Sequence, residues 1–397
     1  MENLQRFVNY VKIDTQSDDT TGTTPSTEKQ KVLGALLVQE LLDLGLEDAH
    51  MDEWGNVYGH LPGDETRIGL NAHMDTALEV TGANVRPHLI RDYKGGIIRL
   101  ANGLEMSPKQ FPILKDHVGH DLVVTDGNTL LGADDKAGIA IIMSALQYFK
   151  DNPNVPHSTI CVCFTVDEEI GEGPLHFNYE KMNAEYAYTI DGSRPDFIEA
   201  ENFNAIGATI EIEGVSIHSG EGKGKLINAI LLAKEFLTYL PANQTPFDSE
   251  KKEGFWHVND IEGGSDRAVM HFIIRDFDDS AIEDRVLWFK DACNKLQEKY
   301  PDAKITAQFK NQYYNMRKYV DQSPIAVKRA EEVLRNNGLE PINGAIRGGA
   351  DGATFSKNGL ITPNLGTGSY NHHGRFEFLD LYEFNKMISV VIDLVRK

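Results

Sequence analysis

The segment Ser158–Gly171, STICVCFTVDEEIG, constrains the fold more than any other part of the 397-residue chain. Its run of apolar or small residues, Ile160–Val166, is rich in β-branched side chains, which predicts a strand buried on both faces of a mostly parallel sheet. Three carboxylates, Asp167, Glu168 and Glu169, follow directly. The carboxyl ends of such strands are where open α/β sheets bind ligands. The plain alternative is a solvated acidic turn after a core strand.

Strand geometry predicts how the side chains at these ends point. Neighbouring side chains on an extended backbone point apart, so one of Glu168 and Glu169 is expected to ligate a metal while the other faces its water. Asp75 follows His73 by two residues on another predicted strand. These two side chains are therefore expected to face the same side.

Four segments of the predicted α/β part end in carboxylate or imidazole at the ligand-binding edge of the sheet. Their residues, together with one histidine in a glycine-flanked loop, are His73, Asp75, Asp134, Asp135, Glu168, Glu169, Asp191 and His373. Imidazole and carboxylate without thiolate suit zinc, cobalt or manganese, and two metals sharing a bridging carboxylate is the economical assembly. His117 and His120 are also closely spaced, but no carboxylate cluster is expected around them.

Length and charge narrow the possible functions. A chain of 397 residues exceeds what one core usually supports, so two domains are expected. The net charge of −21 argues against nucleic acid or an anionic membrane as partner, because either would require a basic face. Three cysteines are too sparse for a disulfide framework, and no run of about 18 apolar residues exists to span a bilayer. We expect a cytoplasmic protein, monomeric or homodimeric.

The order of predicted elements indicates an α/β fold with an insertion. A mostly parallel mixed sheet flanked by helices is expected in the two parts of a catalytic domain, 1–202 and 317–397. Between them, 203–316 has the predicted order βαββαβ, which is that of a ferredoxin-like α+β unit and is expected to form a lid domain that binds substrate. A helix is predicted over about 25–45, because the capping residue Thr24 precedes a proline at the first helical position.

Several motifs along the chain belong together: HMD, GADDKAG, DEE, the long insertion GANVRPHLIRDYKGG, and YYNMR. With them, nearly the whole sequence resembles the M20 family of co-catalytic zinc peptidases, and within it the tripeptide aminopeptidases. The resemblance implies a zinc-exopeptidase-like catalytic domain that removes the N-terminal residue of a small peptide substrate. The alternatives are an M20-type dipeptidase, a deacylase of N-acyl amino acids, and a catalytically inactive peptide-binding relative.

The resemblance also implies two zinc ions per subunit, with cobalt or manganese as substitutes. The implied ligands are His73 and Asp191 for one zinc, Glu169 and His373 for the other, and Asp134 as the bridge. The peptide bond from Asp134 to Asp135 is expected to be cis, as in the family. His372 competes for the ligand role, and only the family motif, in which the histidine precedes the glycine, favours His373.

The resemblance assigns catalytic roles to two further carboxylates. Glu168 would be the general base, which takes a proton from the attacking water and returns it to the leaving amine. Asp75 would not touch metal; it would hydrogen-bond His73 and set the tautomer of that imidazole.

Substrate-binding roles fall in the predicted lid domain and, for Arg347, in the second part of the predicted catalytic domain. The positions that match the family are His218 for the oxyanion and Asn228, Arg275 and Arg347 for the substrate. An arginine suits a bidentate hold on a carboxylate. For Arg275, an ion pair with Asp276 or Asp278 is an equal alternative. For Asn228, the alternative is burial with a satisfied amide.

Overall fold

A computed structural model describes residues 2–397; Met1, where the first predicted domain starts, lies outside the described residues. The chain divides into two compact units. The first comprises the residues up to Ala200 with Met316–Gly344 and Ala350–Lys397, and the second comprises Glu201–Asn315 with Ala345–Gly349. The boundaries expected from the sequence were 202 and 316, and the return of five residues to the second unit after Gly344 was not expected.

The strands are short except in the centre of each unit. In chain order they are β1 (His50–Met51), β2 (Val57–Leu61), β3 (Asp64–His73), β4 (His88–Ile90), β5 (Ile98–Arg99), β6 (Glu105–Met106), β7 (Leu122–Val124), β8 (Ser158–Thr165), β9 (Tyr186–Gly192), β10 (Phe197–Asn202), β11 (Asn204–Glu213), β12 (Phe255–Gly263), β13 (Arg267–Asp276), β14 (Lys304–Tyr313), β15 (Ile342–Ile346), β16 (Asn364–Gly366), β17 (Ser369–Tyr370) and β18 (Phe378–Asp380).

The helices connect these strands and pack against the sheets. They are α1 (Asn3–Val11), α2 (Gln30–Leu44), α3 (Ala133–Asp151), α4 (Tyr179–Met182), α5 (Ala229–Thr238), α6 (Asp279–Lys299), α7 (Arg317–Val320), α8 (Ile325–Asn336), α9 (Asp351–Lys357) and α10 (Leu381–Val395). Within residues 2–397, none of them combines the length with the apolar composition that crossing a membrane requires.

The main sheet has eight strands in the order β1-β2-β8-β3-β9-β16-β10-β15. Strand β3 runs parallel to β8 and β9, β9 runs parallel to β16, and the outer pairs β1–β2, β2–β8 and β16–β10 are antiparallel. Every residue of β8 is buried, and helices α2, α3, α8 and α10 contact the sheet. The prediction of a mostly parallel mixed sheet flanked by helices is confirmed.

The register of the parallel strands aligns the predicted site residues at one edge. His73, the last residue of β3, pairs with Thr165, the last residue of β8. On the other side of β3, Asn71 pairs with Thr189, so Asp191 of β9 lies level with His73. Imidazole and carboxylate side chains at the carboxyl ends of the three neighbouring strands β3, β8 and β9 therefore lie at the same edge of the sheet.

The second unit has its own sheet and core. Its elements follow the order β11-α5-β12-β13-α6-β14, and its strands are arranged β12-β13-β11-β14, with every neighbouring pair antiparallel. This is the ferredoxin-like arrangement. Aromatic side chains fill the core: Phe236, Trp256, Phe272 and Phe289.

The predicted start of the second helix at Pro25 is wrong, because α2 begins at Gln30. The backbone N–H and the hydroxyl of Ser26 donate hydrogen bonds of 2.7 and 2.5 Å to the carboxylate of Asp167. The amide of Gln30 donates a third, of 2.6 Å, to the same carboxylate. The segment before α2 is therefore held by the buried side chain of Asp167, a tertiary contact that local propensity does not register.

Candidate metal centre

Two groups of side chains converge on Asp134 at the carboxyl edge of the main sheet. In the first, Nε2 of His73 lies 3.0 Å from Oδ1 of Asp134 and 3.4 Å from Oδ1 of Asp191. In the second, Nε2 of His373 lies 3.3 Å from Oδ2 of Asp134 and 3.0 Å from Oε2 of Glu169. Asp134 thus presents one oxygen to each group, which is the arrangement of a carboxylate that bridges two ions.

The spacing of these atoms fits divalent cations. Ligand atoms around a tetrahedral zinc, at about 2.0–2.2 Å from the ion, lie about 3.4 Å from one another. The separations of 3.0 to 3.4 Å in both groups are close to that value. Oε1 of Glu169 is buried and has no hydrogen-bond partner among the described residues, a state that costs free energy unless a cation or water satisfies the oxygen. The residues therefore fit two metal ions.

A third group of possible ligands has a different geometry. Oδ2 of Asp380 lies 2.7 Å from Nδ1 of His117 and 2.5 Å from Nδ1 of His120. These distances are those of hydrogen bonds and are too short to separate two ligands of one zinc. The other oxygen of Asp380 caps α10 by accepting the backbone N–H groups of Tyr382 and Glu383. A single carboxylate, that of Asp380, which the sequence did not indicate, joins the two histidines, and the group is a hydrogen-bonded cap of α10.

The backbone of Glu168 and Glu169 is a 3-10 turn, Glu168–Ile170, and not the extended backbone expected from the sequence. Asp167, with φ of 58°, ends the extended conformation of β8. The two carboxyl oxygens of the buried Asp75 accept hydrogen bonds from this turn, one of 3.0 Å from the N–H of Glu168 and one of 3.1 Å from the N–H of Glu169. The turn is thereby held against the end of β3.

Asp75 also faces the imidazole of the first group. Its Oδ1 lies 3.2 Å from Nδ1 of His73, on the opposite side of the ring from Asp134. A carboxylate at Nδ1 favours the tautomer that leaves Nε2 free to ligate a metal. Asp75 therefore contacts both a candidate ligand and the turn that carries the candidate base.

Charge and burial shift the titration of the cluster. Burial alone would lower the pKa of His73, but the carboxylates of Asp191 and Asp134 raise it well above its usual range. Hydrogen bonds to Asp134 and Glu169 raise the pKa of His373 to about 11. Burial and the nearby Asp134 raise the pKa of Glu169 to about 7. Both imidazoles therefore hold protons at neutral pH when no metal is bound.

One further buried carboxylate near Glu168, that of Asp351, was not expected from the sequence. Burial raises the pKa of Glu168 well above its usual range, and the charges of Asp191 and Asp351 add to the shift. Asp351, at the start of α9, accepts a hydrogen bond of 3.0 Å from the hydroxyl of Thr165, and burial raises its pKa to about 7. The only sequence signal for Asp351 was the glycine-rich stretch IRGGADGA that contains it.

Asp191 is held by a network that the sequence did not indicate. The side-chain oxygen of Asn364 accepts hydrogen bonds of 3.1 Å from the N–H of Asp191 and 2.8 Å from the hydroxyl of Thr189. The amide nitrogen of Asn364 donates to Glu199 at 2.8 Å, which fixes which way the amide faces. The backbone at the end of β9 is therefore oriented by a side chain from β16.

The two adjacent histidines of the C-terminal loop have different surroundings. Nε2 of His372 lies 2.8 Å from the hydroxyl of Ser369, and its Nδ1 lies 3.4 Å from Asp134. His373, with φ of 60°, places Nε2 between Asp134 and Glu169. Only His373 belongs to a group of possible ligands, and the peptide bond between Asp134 and Asp135 is cis. The assignment of individual ligands stays a prediction.

The predicted substrate-binding residues lie in the second unit and are described there by their own contacts. Nδ1 of the exposed His218 accepts a hydrogen bond of 3.2 Å from the N–H of Gly220. The side-chain oxygen of Asn228 caps α5 by accepting the backbone N–H groups of Ile230 and Leu231. Asn228 is a helix cap and not the buried core amide considered as its alternative.

Both arginines have local partners in the second unit. The guanidinium of Arg275 lies 5.2 Å from the ring of Tyr313 and donates to the carbonyl of Ile274. Its expected ion-pair partner Asp276 instead pairs with Arg285 at 2.8 Å. The structure therefore does not show the alternative ion pair between Arg275 and Asp276.

The guanidinium of Arg347 bonds to a surface loop of the second unit. It donates to the carbonyl oxygens of Lys251 and Glu253, at 2.6 and 3.0 Å, and to the hydroxyl of Ser249 at 2.9 Å. The guanidinium also lies 5.2 Å from the ring of Phe203. The fork expected to hold a substrate carboxylate is engaged here with neutral oxygens.

Comparison with known proteins finds the same architecture in peptidases. Residues 120–397 match the family profile described as Peptidase family M20/M25/M40. A Clostridium perfringens protein named peptidase T is 43% identical over 396 residues, which is 99% of this chain and 98% of the relative.

Solved structures share the fold at lower identity. The crystal structure of a Staphylococcus aureus tripeptidase superposes with a TM-score of 0.79 at 23% identity, covering 99% of this chain and 96% of the other. A Bacillus subtilis protein described as a dinuclear metal-binding peptidase of the M20 family gives a TM-score of 0.64 at 12% identity, covering 99% and 97%.

Loading the metal-free protein with zinc at about pH 7 should release at least the protons of His73 and His373, because ligation requires neutral imidazole. Since protons compete with the metal, the apparent affinity should rise from about pH 6 to about pH 8. Calorimetry in buffers of different ionisation enthalpy measures the number of protons released.

The matched variants for this measurement are His373→Ala and His50→Ala, the latter at an exposed histidine of β1. The first should release about one proton fewer, and the second should match the unaltered protein. Zinc binding without net proton release, at an affinity independent of pH, would contradict the account.

Proposed function

The chain belongs to the peptidase family M20/M25/M40, and on that premise we propose that its metal centre hydrolyses the N-terminal peptide bond of tripeptides. The chain is a hydrolase of peptide bonds, and relatives named peptidase T match it at 43% identity over almost its whole length. The observation that carries the chemistry is the single carboxylate of Asp134, which faces two separate histidine–carboxylate groups.

Two divalent ions would be held by these groups. We assign one to His73 and Asp191 and the other to Glu169 and His373, with Asp134 between them. Neutral imidazole and carboxylate ligands favour zinc, and cobalt or manganese are the natural substitutes. When bound, such ions lower the pKa of a water molecule and polarise the peptide carbonyl.

Glu168 would move the proton. Its carboxylate would accept a proton from the attacking water and return it to the leaving amine. The surroundings support this role, because burial and the neighbouring carboxylates raise the pKa of Glu168, and a higher pKa makes a carboxylate a stronger proton acceptor. The hydrogen bond from its N–H to Asp75 holds the backbone of Glu168.

Asp75 would orient two parts of the site and contact no substrate. Its position at Nδ1 of His73 would leave Nε2 as the nitrogen available to a metal, and its bonds to the turn hold the backbone of Glu168 and Glu169. The buried carboxylate of Asp75 would thus hold the base Glu168 and the ligands His73 and Glu169 in fixed positions relative to one another.

For the second unit we propose the roles of the matching family positions. His218 would stabilise the oxyanion, and Asn228, Arg275 and Arg347 would bind the substrate. For Arg347, a substrate carboxylate would replace the neutral carbonyls of Lys251 and Glu253, and hydrogen bonds to a charged acceptor are about twice as strong. The domain division at 202 and 316 and the lid role of the insertion belong to the same proposal.

We propose a cytoplasmic location and a monomer or homodimer. The support for the location is that Cys161, Cys163 and Cys293 are free thiols, as expected in a reducing compartment. The net charge of −21 disfavours nucleic acid and anionic membranes as partners.

Glu168→Ala should lower kcat by about 10²- to 10⁴-fold, because the general base is lost while all five ligands remain. Metal content, measured by mass spectrometry, should stay at the level of the unaltered protein. Glu172→Ala, at an exposed carboxylate of the same segment, is the matched control and should keep full activity. Near-normal turnover by Glu168→Ala would refute the assignment.

A series of di-, tri- and tetra-alanine, with and without a chelator, tests the substrate class. Tri-alanine should have the highest kcat/KM, by tenfold or more, which is about 1.4 kcal/mol in transition-state binding. Activity should disappear with the chelator and return with zinc.

Blocked peptides separate the competing functions. N-acetyl tri-alanine should be rejected, since an aminopeptidase acts at a free α-amino group. Its rapid cleavage would indicate a deacylase, and a preference for di-alanine would indicate a dipeptidase. Binding of peptides without cleavage by the metal-loaded protein would indicate an inactive relative.

A further inference from the structure

Glu377 is a fully buried carboxylate whose bonds all go to the backbone beside the metal centre. Its side chain is 1% exposed. Oε2 accepts hydrogen bonds from the N–H groups of Leu131 and Gly132, at 2.7 and 2.8 Å. Oε1 accepts a third, of 3.0 Å, from the N–H of Asp134. Burying a charge is costly unless it is well hydrogen-bonded, and three N–H donors meet that requirement.

The donors belong to the segment that leads into α3: Leu131 and Gly132 precede the helix, and Asp134 at its start has a non-helical backbone, with φ of −83° and ψ of 104°. The positive end of the helix dipole favours a carboxylate near this segment. Gly132 has φ of 76°, a conformation that turns its N–H towards Glu377 together with that of Leu131. The side chain of Glu377 thus fixes the backbone from Leu131 to Asp134.

The hydrogen bonds to Glu377 fix the backbone of Asp134, the residue that both groups of possible ligands share. Asp134 gives Oδ1 to the group of His73 and Oδ2 to the group of His373. The direction of its side chain follows from its backbone, and Glu377 accepts the N–H of that backbone. A shift of the Asp134 backbone would therefore move a ligand of both ions at once.

The same C-terminal segment supplies three contacts to Asp134. His373 faces Oδ2 at 3.3 Å, Nδ1 of His372 lies 3.4 Å from the same oxygen, and Glu377 bonds the backbone. The segment that brings one candidate ligand therefore also fixes the bridging one.

We propose that Glu377 is a positioning residue of the metal centre, which fixes Asp134 so that both ions are bound together. The inference rests on the proposed function, because it takes Asp134 as the shared ligand. Glu377 itself touches neither substrate nor metal.

The test is zinc titration of the metal-stripped, full-length variant Glu377→Gln, followed by calorimetry and by mass spectrometry of bound metal. A glutamine places an NH2 donor where an acceptor is needed, so at least one of the three N–H groups loses its bond. Loss of such support to a ligand typically costs about 10- to 100-fold in metal affinity. We expect a loss of this size for both ions.

Glu383→Gln is the matched control from the same segment. Oε2 of Glu383 accepts a hydrogen bond of 2.7 Å from the hydroxyl of Tyr370, which the oxygen of a glutamine also accepts. Its affinity for both ions should equal that of the unaltered protein. Asn364→Ala, which removes the support of Asp191, should weaken one ion and spare the other.

Asp134→Asn distinguishes failure of the inference from failure of the proposed function. If it loses both ions while Glu377→Gln binds both with unaltered affinity, the positioning role is overturned and the bridge stands. If Asp134→Asn itself binds both ions normally, the bridge is overturned as well. A loss confined to one ion in Glu377→Gln would also contradict the inference.

Glu377→Asp covers the case in which the glutamine variant does not fold. The shorter side chain keeps the charge but cannot reach all three N–H groups, so both ions should be weakened by a smaller factor. Unchanged affinity for both ions in a folded Glu377→Asp, alongside a lowered melting temperature, would make Glu377 a helix cap only.

Discussion

The carboxylate of Asp134, shared between two imidazoles, is the constraint on which the rest of the site depends. Its oxygens face His73 at 3.0 Å and His373 at 3.3 Å, and these histidines come from opposite parts of the sequence. The sharing therefore requires the end of β3, the start of α3 and the C-terminal loop to meet within hydrogen-bond distance. The parallel register of β3, β8 and β9 provides the common edge at which they do so.

The acidic side chains of the centre divide into two kinds by what they contact. Asp134, Asp191 and Glu169 face imidazoles and present oxygens that a cation can reach. Asp75 and Glu377 accept hydrogen bonds from backbone N–H groups, and they thereby fix the segments that carry Glu169 and Asp134. Burial raises the pKa of most of the first kind, so the centre binds protons when it lacks metal. A cluster of this charge is stable only with protons or cations in it.

The sequence predicted the elements whose signal is local and missed those fixed by distant contacts. The β-branched run before Asp167 predicted β8, the predicted strand ends indicated the histidines and carboxylates, and the family motifs gave their individual roles. Asp380 was missed because it meets His117 and His120 from 260 or more positions away. The turn at Glu168 was missed because its conformation depends on the acceptor oxygens of Asp75. No periodic pattern in the sequence indicates the three hydrogen bonds between Glu377 and the backbone.

Anomalous diffraction at the zinc absorption edge, from crystals of the zinc-loaded protein, tests the central claim most directly. The account predicts two peaks, each about 2.0–2.2 Å from its ligand atoms, with one oxygen of Asp134 on each. It predicts no peak between His117, His120 and Asp380. A single peak, or two peaks that share no contact with Asp134, would contradict it.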